Sequence, residues 1–195
     1  MSLFDKFKTA NVNRRLKELS RSAQHWFRSK TIGARQVNRA QLLRDPKLRQ
    51  TSRVMPGKMY TFWYDPKWKE KLPYYDRFPM IILVDAAQGG FYGINLHYLP
   101  PLLRARFLDA LMSTMNDTTL TEKSRLRISY NILKSVNKFK EFQPCFKHYL
   151  SKHVASRIAE IPADEWETAI FLPTEKFEKA SKRSVWNRSK DIINS

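Results

Sequence analysis

Three blocks of strand-forming residues, separated by turn signals, constrain the fold of this chain more than any other sequence feature. The blocks are rich in aromatic and β-branched residues, and they cover 59–64, 80–85 and 91–98. Pro56-Gly57 precedes the first block, and Gly89-Gly90 between the last two is typical of a tight hairpin. We therefore predict an antiparallel meander, which forms either a small antiparallel sheet or a partly closed SH3-like barrel.

Helical patterns follow these strands, because after Pro100-Pro101 the apolar residues recur at helical spacing. The predicted helices cover 101–115, 121–139 and 144–159. Residues 166–172 are predicted to form either a helical turn or a late strand, with the strand preferred, and the tail 174–195 is predicted to be helical in part. Since strands are followed by helices without βαβ alternation, the sequence predicts an α+β fold with a C-terminal helical cluster.

The first 55 residues differ from the rest of the chain in charge and in pattern. They contain 14 of the 36 Lys and Arg residues but 3 of the 18 Asp and Glu residues, a net charge of 14 − 3 = +11 out of +18. Apolar residues such as Leu16, Leu19 and Ala23 recur at helical spacing, and a second short helix is predicted at about 36–44. We predict a basic N-terminal helical arm (1–55), an α+β core domain (56–173) and a basic C-terminal tail (174–195).

Almost nothing neutralises the basic residues of the arm, since Glu18 is the only acidic residue between Lys6 and Arg44. A solvated helix face normally mixes both signs of charge, so this pattern favours binding to a polyanion, with nucleic acid preferred. An anionic membrane surface and an acidic protein partner are the alternatives. The candidate DNA-binding residues of the arm are Arg14, Arg15, Lys17, Arg21, Arg28, Lys30, Arg35 and Arg39.

A second candidate surface combines aromatic and basic residues over 60–78. Exposed aromatic rings in a basic groove form a stacking platform for unpaired bases, whereas alternate aromatic residues in a strand more often fill the core. The core interpretation is preferred for Tyr60, Phe62 and Tyr64. Trp68 lies between lysines in a charged loop and is the best candidate for contact with a base or a DNA end. The candidate residues of this loop are Lys67, Trp68, Lys69 and Lys71.

Residues that carry out catalysis or bind metals are sparse. None of the five glycines stands in a phosphate-binding loop, which argues against an ATPase or GTPase. Cys145, His148 and His153 lie close together but lack a fourth ligand and a CxxC or HxxxH pair, so a zinc site is not favoured. Nothing in the sequence predicts the lowered thiol pKa that a Cys145 nucleophile needs. We predict no catalytic residue, no metal site and no cofactor.

A metal-dependent nuclease is a further alternative for a basic protein, and it needs carboxylates on neighbouring strands to hold Mg²⁺. Asp45-Pro46-Lys47 and Asp65-Pro66-Lys67 match a loose Asp-x-Lys pattern, but the proline indicates a turn rather than a strand. Asp76, Asp85 and Asp109 remain as isolated acidic residues. These carboxylates are too few and too scattered to favour nuclease activity.

Cysteine usage and hydropathy favour an intracellular setting. A chain with one cysteine forms no internal disulfide, and the charged start of the sequence lacks the apolar stretch of a signal peptide. The longest apolar run, 78–84, is far shorter than the roughly 18 residues of a membrane-spanning helix. The sequence therefore predicts a soluble protein with no membrane partner.

Four strings of residues resemble a known family, and they cover 56–67, 72–79, 90–100 and 169–173. They are similar to strings in small basic proteins of T4-like tailed bacteriophages, the DNA end protector proteins, over roughly residues 55–190. The resemblance implies a minor virion protein, found in the host cytoplasm and the virion, that binds the termini of the linear double-stranded genome. Such a protein shields the termini from host exonuclease and takes part in head completion.

The resemblance implies protection by occlusion rather than by catalysis. An end binder needs positive charge for the duplex and an apolar surface for the exposed face of the terminal base pair, and the arm with Trp68 or Trp26 supplies both. The expected partners are DNA termini and other virion proteins, with no small-molecule substrate. The alternative is a structural connector of the neck, tail or baseplate. Its charge would meet an acidic neighbour or the portal-bound DNA, and it would lack end-specific DNA binding.

Overall fold

The computed structural model of this protein describes residues 39–44, 46, 48–51, 53–115 and 142–194. The predicted helix that contains Leu16, Leu19 and Ala23 lies outside the described residues, as does the predicted helix 121–139. The short helix predicted at 36–44 is confirmed over its described part, where α1 covers Arg39–Leu42.

A six-stranded antiparallel sheet forms the centre of the fold. The strands in chain order are β1 (Arg49–Thr51), β2 (Met59–Thr61), β3 (Tyr75–Asp76), β4 (Met80–Ala87), β5 (Gly90–Asn95), β6 (Phe146–Leu150), β7 (Ile158–Ile161) and β8 (Phe177–Glu178). The large sheet has the order β1-β7-β2-β4-β5-β6, and β3 pairs separately with β8. Among the described strands, the edge strands β1 and β6 do not pair with each other. The fold is therefore α+β, as predicted, with an open sheet rather than a closed barrel.

Glycines form the predicted turns. Gly57 and Gly89 have φ values of 83° and 72°, in the left-handed region that a residue without Cβ adopts at little cost. Gly89 lies in the two-residue loop that joins β4 to β5. A side chain at Gly90 would collide with the carbonyl oxygen of Tyr149 on β6. The tight hairpin predicted from Gly89-Gly90 is therefore confirmed.

Helices cover one face of the sheet. Helix α2 (Pro101–Met115) has the predicted bounds, with Pro101 in the first turn, where its missing N–H removes no helical hydrogen bond. A short helix, α3 (Trp166–Ala169), precedes α4 (Lys182–Asn194), and α4 confirms the helix expected in the tail. No helix in the described part of the chain has the length and hydropathy needed to cross a membrane.

The helix predicted over 144–159 is wrong. Phe146–Leu150 forms the edge strand β6 against β5, and Ile158–Ile161 forms β7 between β1 and β2. Pairing with β5 places Tyr149 opposite Phe91, and their rings stack with centroids 5.7 Å apart. The spacing of the apolar residues in this short segment suits a helix and a strand equally. The free hydrogen-bonding edge of β5 favours the strand.

The strand preferred over 166–172 is also wrong, and the alternative of a helical turn is confirmed, because this segment forms α3 followed by turns. The indole N–H of Trp166 donates a hydrogen bond to the carbonyl oxygen of Ile161 at 2.8 Å. Trp166, Ala169 and Ile170 are all buried in the same apolar cluster. A helical turn brings residues at this spacing to one face, whereas a strand would separate Ala169 from Ile170.

Both faces of the sheet are buried. One face packs against the helices through residues such as Ile82 and Val185. The other face carries an aromatic cluster in which the ring of Phe62 meets neighbouring rings edge-on, with Tyr64 at 6.2 Å. Tyr60 is fully buried in the same cluster. The core interpretation of Tyr60, Phe62 and Tyr64 is therefore confirmed.

Candidate nucleic-acid interface

The loop 65–73, which we call the Trp68 loop, presents an exposed aromatic ring between positive charges. Trp68 is 56% exposed. The ammonium nitrogens of Lys67 and Lys71 lie 4.7 and 5.1 Å from its ring centroid, within the range of cation–π attraction. The loop thereby holds apolar surface and two positive charges in one place, which suits contact with a base and its phosphates.

Lys69, the third lysine of the Trp68 loop, is paired within the loop. Its ammonium donates to both carboxylate oxygens of Asp65, at 3.0 and 3.1 Å, and this hydrogen bonding raises the pKa of Lys69. Because Asp65 offsets its charge, Lys69 contributes less positive potential to the surface than Lys67 or Lys71. DNA contact by Lys69 stays a prediction.

Lys179 holds the Trp68 loop from outside. Its ammonium donates to the carbonyl oxygens of Lys69, Glu70 and Leu72 at 2.6, 2.9 and 3.3 Å. The backbone of Lys179 has φ 65°, and among the described residues no other non-glycine residue has a positive φ. This conformation is unfavourable for a residue with a Cβ, so the surrounding contacts outweigh its cost. The Trp68 loop is thus held in a defined conformation.

Replacing Lys179 by Met tests this clamp, because it keeps the length of the side chain and removes its donors. In Lys179→Met we expect faster amide hydrogen exchange at Leu72, whose N–H donates to the carbonyl oxygen of Trp68 within the loop. The matched control is Lys176→Met, since the Lys176 ammonium lies 3.6 Å from Glu178, outside the loop. Unchanged exchange at Leu72 in Lys179→Met would show that Lys179 does not hold the loop.

The segment 174–179 runs from the interior of the protein, at Thr174, to Lys179 at the Trp68 loop. Thr174 Oγ1 lies 3.0 Å from His97 Nε2, and His97 Nδ1 lies 2.7 Å from Asp76 Oδ2. The backbone N–H of Lys176 donates to the other carboxylate oxygen of Asp76 at 3.1 Å. The ladder between β3 and β8 then leads directly to Lys179. The Trp68 loop is therefore tied to a buried polar cluster, which consists of Asp76, Asn95, His97 and Thr174.

The carboxylate of Asp76 is the centre of the buried polar cluster. One oxygen accepts the backbone N–H groups of Phe78 and Lys176, and the other accepts the side-chain amide of Asn95 and contacts His97. Burial by itself raises the pKa of Asp76, but His97 and the two backbone N–H groups outweigh it and hold that pKa below its usual value. Asp76 is therefore a carboxylate at neutral pH, and each of its oxygens has two partners.

A carboxylate, an imidazole and a hydroxyl in this order also form the triads of hydrolases. Here, however, Thr174 is 3% exposed and His97 is fully buried, so a substrate cannot reach the hydroxyl. The cluster is structural, and Asp76 is not the isolated acidic residue that the sequence indicated. Sequence reasoning missed the cluster because His97 lies 21 residues from Asp76 and 77 from Thr174, and no local spacing links the three.

Arg39 joins α1 to the same connecting segment. Its Nε donates to the carbonyl oxygen of Thr174 and its Nη2 to that of Glu175, each at 2.7 Å. These bonds occupy part of the guanidinium and fix the described end of the arm to the core. The structure therefore gives Arg39 an anchoring role, and DNA contact by this residue stays a prediction.

A buried arginine stabilises the other side of the connecting segment. Arg104 donates to the carbonyl oxygens of Leu99 and Ile170, at 2.7 and 3.1 Å, and lies 3.8 Å from the carboxylate of Glu175. Burial lowers the pKa of Arg104 to about 10, and Glu175 opposes that effect. Glu175 also lies 3.3 Å from the ammonium of Lys182. Because Arg104 and Glu175 are both buried, this pair of charges stabilises the fold.

Helix α4 extends the positive surface beside the Trp68 loop. The guanidinium of Arg188 lies 5.6 Å from the ring centroid of Tyr74, which directly follows the loop. The indole N–H of Trp186 donates to the carbonyl oxygen of His97 at 2.9 Å and fixes the helix to the core. The exposed basic residues of the helix are Lys182, Arg183, Arg188 and Lys190. Loop and helix thus lie next to each other on the surface.

The other residues singled out in the sequence have varied positions. Cys145 is buried, its thiol donates to the carbonyl oxygen of Phe142, and burial raises its pKa to about 12, so it is unreactive. His153 Nδ1 contacts the carbonyl oxygen of Asp65 at 2.9 Å, at the start of the Trp68 loop. Within the described ranges, no group of three or more His, Cys, Asp or Glu residues is arranged to hold a metal ion.

Most of the candidate DNA-binding residues of the arm lie outside the described residues. These are Arg14, Arg15, Lys17, Arg21, Arg28, Lys30 and Arg35.

Comparison with protein families establishes the relationship of this chain to known proteins. The family model of the phage T4 terminal DNA protecting protein matches residues 8–192. The chain belongs to this family. The match extends from the arm through the Trp68 loop to α4, and it confirms the resemblance to the T4-like DNA end protectors. Searches of curated proteins and of solved structures gave no match.

Membership of the terminal DNA protecting family associates this chain with a phage and with DNA. Protection of a DNA terminus is a binding role, which does not require a catalytic residue. The described surface suits such a role, because Trp68 and the lysines beside it are accessible while the triad-like cluster is buried.

Proposed function

We propose that this protein binds the ends of a linear double-stranded phage genome and shields them from host exonuclease by covering them. The observation that carries the proposal is the Trp68 loop, in which an exposed indole stands beside Lys67 and Lys71 and is held by Lys179. The terminal base pair of a duplex exposes a face that internal base pairs do not. An aromatic ring that stacks on this face distinguishes an end from the interior.

The arm supplies affinity in this proposal. Phosphate contacts by lysine and arginine are independent of sequence and release counterions, so they bind any duplex and weaken steeply with salt. The arm carries a net charge of +11 in 55 residues, and Arg39 fixes its described end to the core. The charged arm therefore binds the duplex, and the Trp68 loop selects its end.

The family relationship supports a phage setting for this role. The proposed locations are the host cytoplasm, where exonucleases meet the injected genome, and the virion, where the ends are packaged. Other virion proteins are proposed as partners during completion of the head. The net charge of +18 also suits a structural connector of the particle that meets an acidic neighbour or DNA without preference for ends.

The decisive experiment compares binding to a linear duplex and to a covalently closed duplex of equal length over a salt series. Each complex is then challenged with a processive exonuclease. We expect tighter binding to the linear form and slower digestion of it. Equal binding to both forms, without protection, would assign the protein to the structural connector class instead.

Replacing Trp68 by Ala tests the role of the indole. Stacking of a base on an aromatic ring contributes about 1–3 kcal/mol, so we expect Trp68→Ala to reduce the preference for linear over closed duplex by about tenfold. Affinity for the closed form stays the same, because the phosphate contacts remain. Met55→Ala is the matched control, since Met55 is also a large exposed apolar side chain but lies outside the loop. Equal losses of affinity for linear and closed DNA in Trp68→Ala would contradict the role of the indole in recognising the DNA end.

A further inference from the structure

A second surface feature, a groove of about 570 Å³, lies between α1 and the segment that follows β2. Its aromatic wall is Trp63, its basic residues are Arg44 and Arg157, and its apolar lining includes Leu43 and Leu48. This volume is in the range of sites for small organic ligands, such as a nucleotide. Neither the Trp68 loop nor the buried polar cluster accounts for this groove.

The indole of Trp63 is held in a fixed position. Its backbone N–H donates to Ser156 Oγ at 2.9 Å, and its carbonyl oxygen accepts the N–H of Ala155 at 2.7 Å. Its ring packs against Phe78, with centroids 4.9 Å apart, and the guanidinium of Arg77 lies 5.9 Å from the ring. Trp63 therefore offers the groove a preorganised aromatic surface, which reduces the entropy lost on binding.

The basic residues of the groove lie on the surface of the protein. Arg44 and Arg157 are both exposed, and neither has an acidic partner within the part of the chain that the structure describes. A guanidinium group binds phosphate oxygens with two parallel hydrogen bonds. An aromatic ring and two guanidinium groups that line one groove suit the binding of one unpaired nucleotide, through its base and its phosphate.

The groove is also close to the proposed end-binding loop. Trp63 and Trp68 are five residues apart, so their Cα atoms are separated by at most about 18 Å. Arg77, which lies over Trp63, also pairs with the residue directly before this loop, because the Tyr64 N–H donates to the carbonyl oxygen of Arg77 at 2.9 Å. If the end of a DNA strand separates from its duplex at Trp68, that end is therefore within reach of the groove.

We propose that this groove binds an unpaired terminal nucleotide of a DNA strand, with its base against Trp63 and its phosphates on Arg44 and Arg157. The proposal rests on the proposed function, since it adds a site for a frayed or overhanging strand to a protein that covers the duplex end. Occupation of the groove keeps the terminal nucleotide away from an exonuclease that requires a free strand end.

The test uses the full chain and a single-stranded tetranucleotide that carries 2-aminopurine at its terminus. The fluorescence of this base is quenched when it stacks on an indole. We expect saturable quenching by the wild type, and about tenfold weaker binding by Arg44→Glu/Arg157→Glu. The control, Lys152→Glu/Lys176→Glu, makes the same charge change at exposed positions outside the groove and the Trp68 loop, and it is expected to weaken binding less than twofold.

The two proposals fail in different ways. No quenching by the wild type, or equal losses in the groove variant and the control, would overturn the nucleotide site. Quenching that depends on Arg44 and Arg157 would support the nucleotide site, even if the protein bound linear and closed duplexes equally. That combination of results would reject end-specific protection, the proposed function, and would leave a groove that binds single-stranded DNA.

Discussion

Replacing Asp76 by Asn is expected to lower the free energy of unfolding by about 3 kcal/mol or more, because each hydrogen bond to a buried charged group contributes about 1.5–3 kcal/mol. The carboxylate oxygens accept hydrogen bonds from Asn95 and from the backbone N–H groups of Phe78 and Lys176, and they contact His97. An amide at this position turns an N–H₂ group toward donors and leaves buried groups without partners. Denaturant unfolding at pH 7 measures the difference.

The matched control is Asp109→Asn, because Asp109 is exposed on α2. Exposed side chains contribute little to stability, so the free energy of unfolding of Asp109→Asn is expected to stay within about 0.5 kcal/mol of the wild-type value. A loss of similar size in both variants would mean that the buried polar cluster does not stabilise the fold.

The pH dependence of unfolding gives a second test of Asp76. Its pKa in the folded protein lies below that of the unfolded chain, so its contribution is fully present above about pH 4 and is lost as the pH falls through the folded value. The stability difference between the wild type and Asp76→Asn therefore narrows in acid. A difference that stayed constant down to pH 2 would contradict the lowered pKa.

Neutralising the arm is expected to have the largest effect on DNA binding. In the variant with Arg14, Arg15, Arg21 and Arg28 replaced by Ala, the slope of log affinity against log salt falls by about 3–4 units, since each phosphate contact contributes about 0.9. The affinity for duplex at about 150 mM salt falls by on the order of a hundredfold or more for the same reason. Titration of a labelled duplex over a salt series measures both quantities.

Comparison of linear and closed duplex distinguishes the contribution of the arm to binding from that of the Trp68 loop. The arm variant is expected to lose equal affinity for linear and closed duplex, because phosphate contacts do not distinguish an end from the interior. Trp68→Ala is expected to lose affinity for the linear form alone. An unchanged salt slope in the arm variant would show that the arm binds another partner, such as an acidic protein of the particle.

Local sequence signals determined strands β2, β4 and β5 of the central sheet and the turns beside them. The left-handed φ of Gly89 and the close backbone at Gly90 allow the β4–β5 hairpin that the Gly-Gly pair predicted. The start of α2 at Pro101 follows from the same kind of local chemistry. Trp68 was identified correctly as exposed because a residue between lysines in a proline-bounded loop has no apolar neighbour in sequence to pack against.

Where the sequence of a segment suits both a helix and a strand, the tertiary structure decided which of the two it forms. The apolar residues of 146–150 and 166–170 fit a helix or a strand. Phe146–Leu150 became a strand because β5 offered a hydrogen-bonding edge, and Trp166–Ala169 became a helix because a compact turn buries Trp166 in the core. Such choices depend on neighbours that are distant in sequence, so local propensity does not settle them.

The sequence by itself determined the α+β class, the charge of the arm, the position of the hairpin and the exposed indole, because these follow from local pattern and composition. Only the tertiary structure brought Asp76, His97 and Thr174 together, anchored Arg39, and placed Lys179 against the Trp68 loop. Each of these contacts joins groups far apart along the chain. Their geometry exists only after the sheet has formed, and for that reason no spacing in the sequence predicts them.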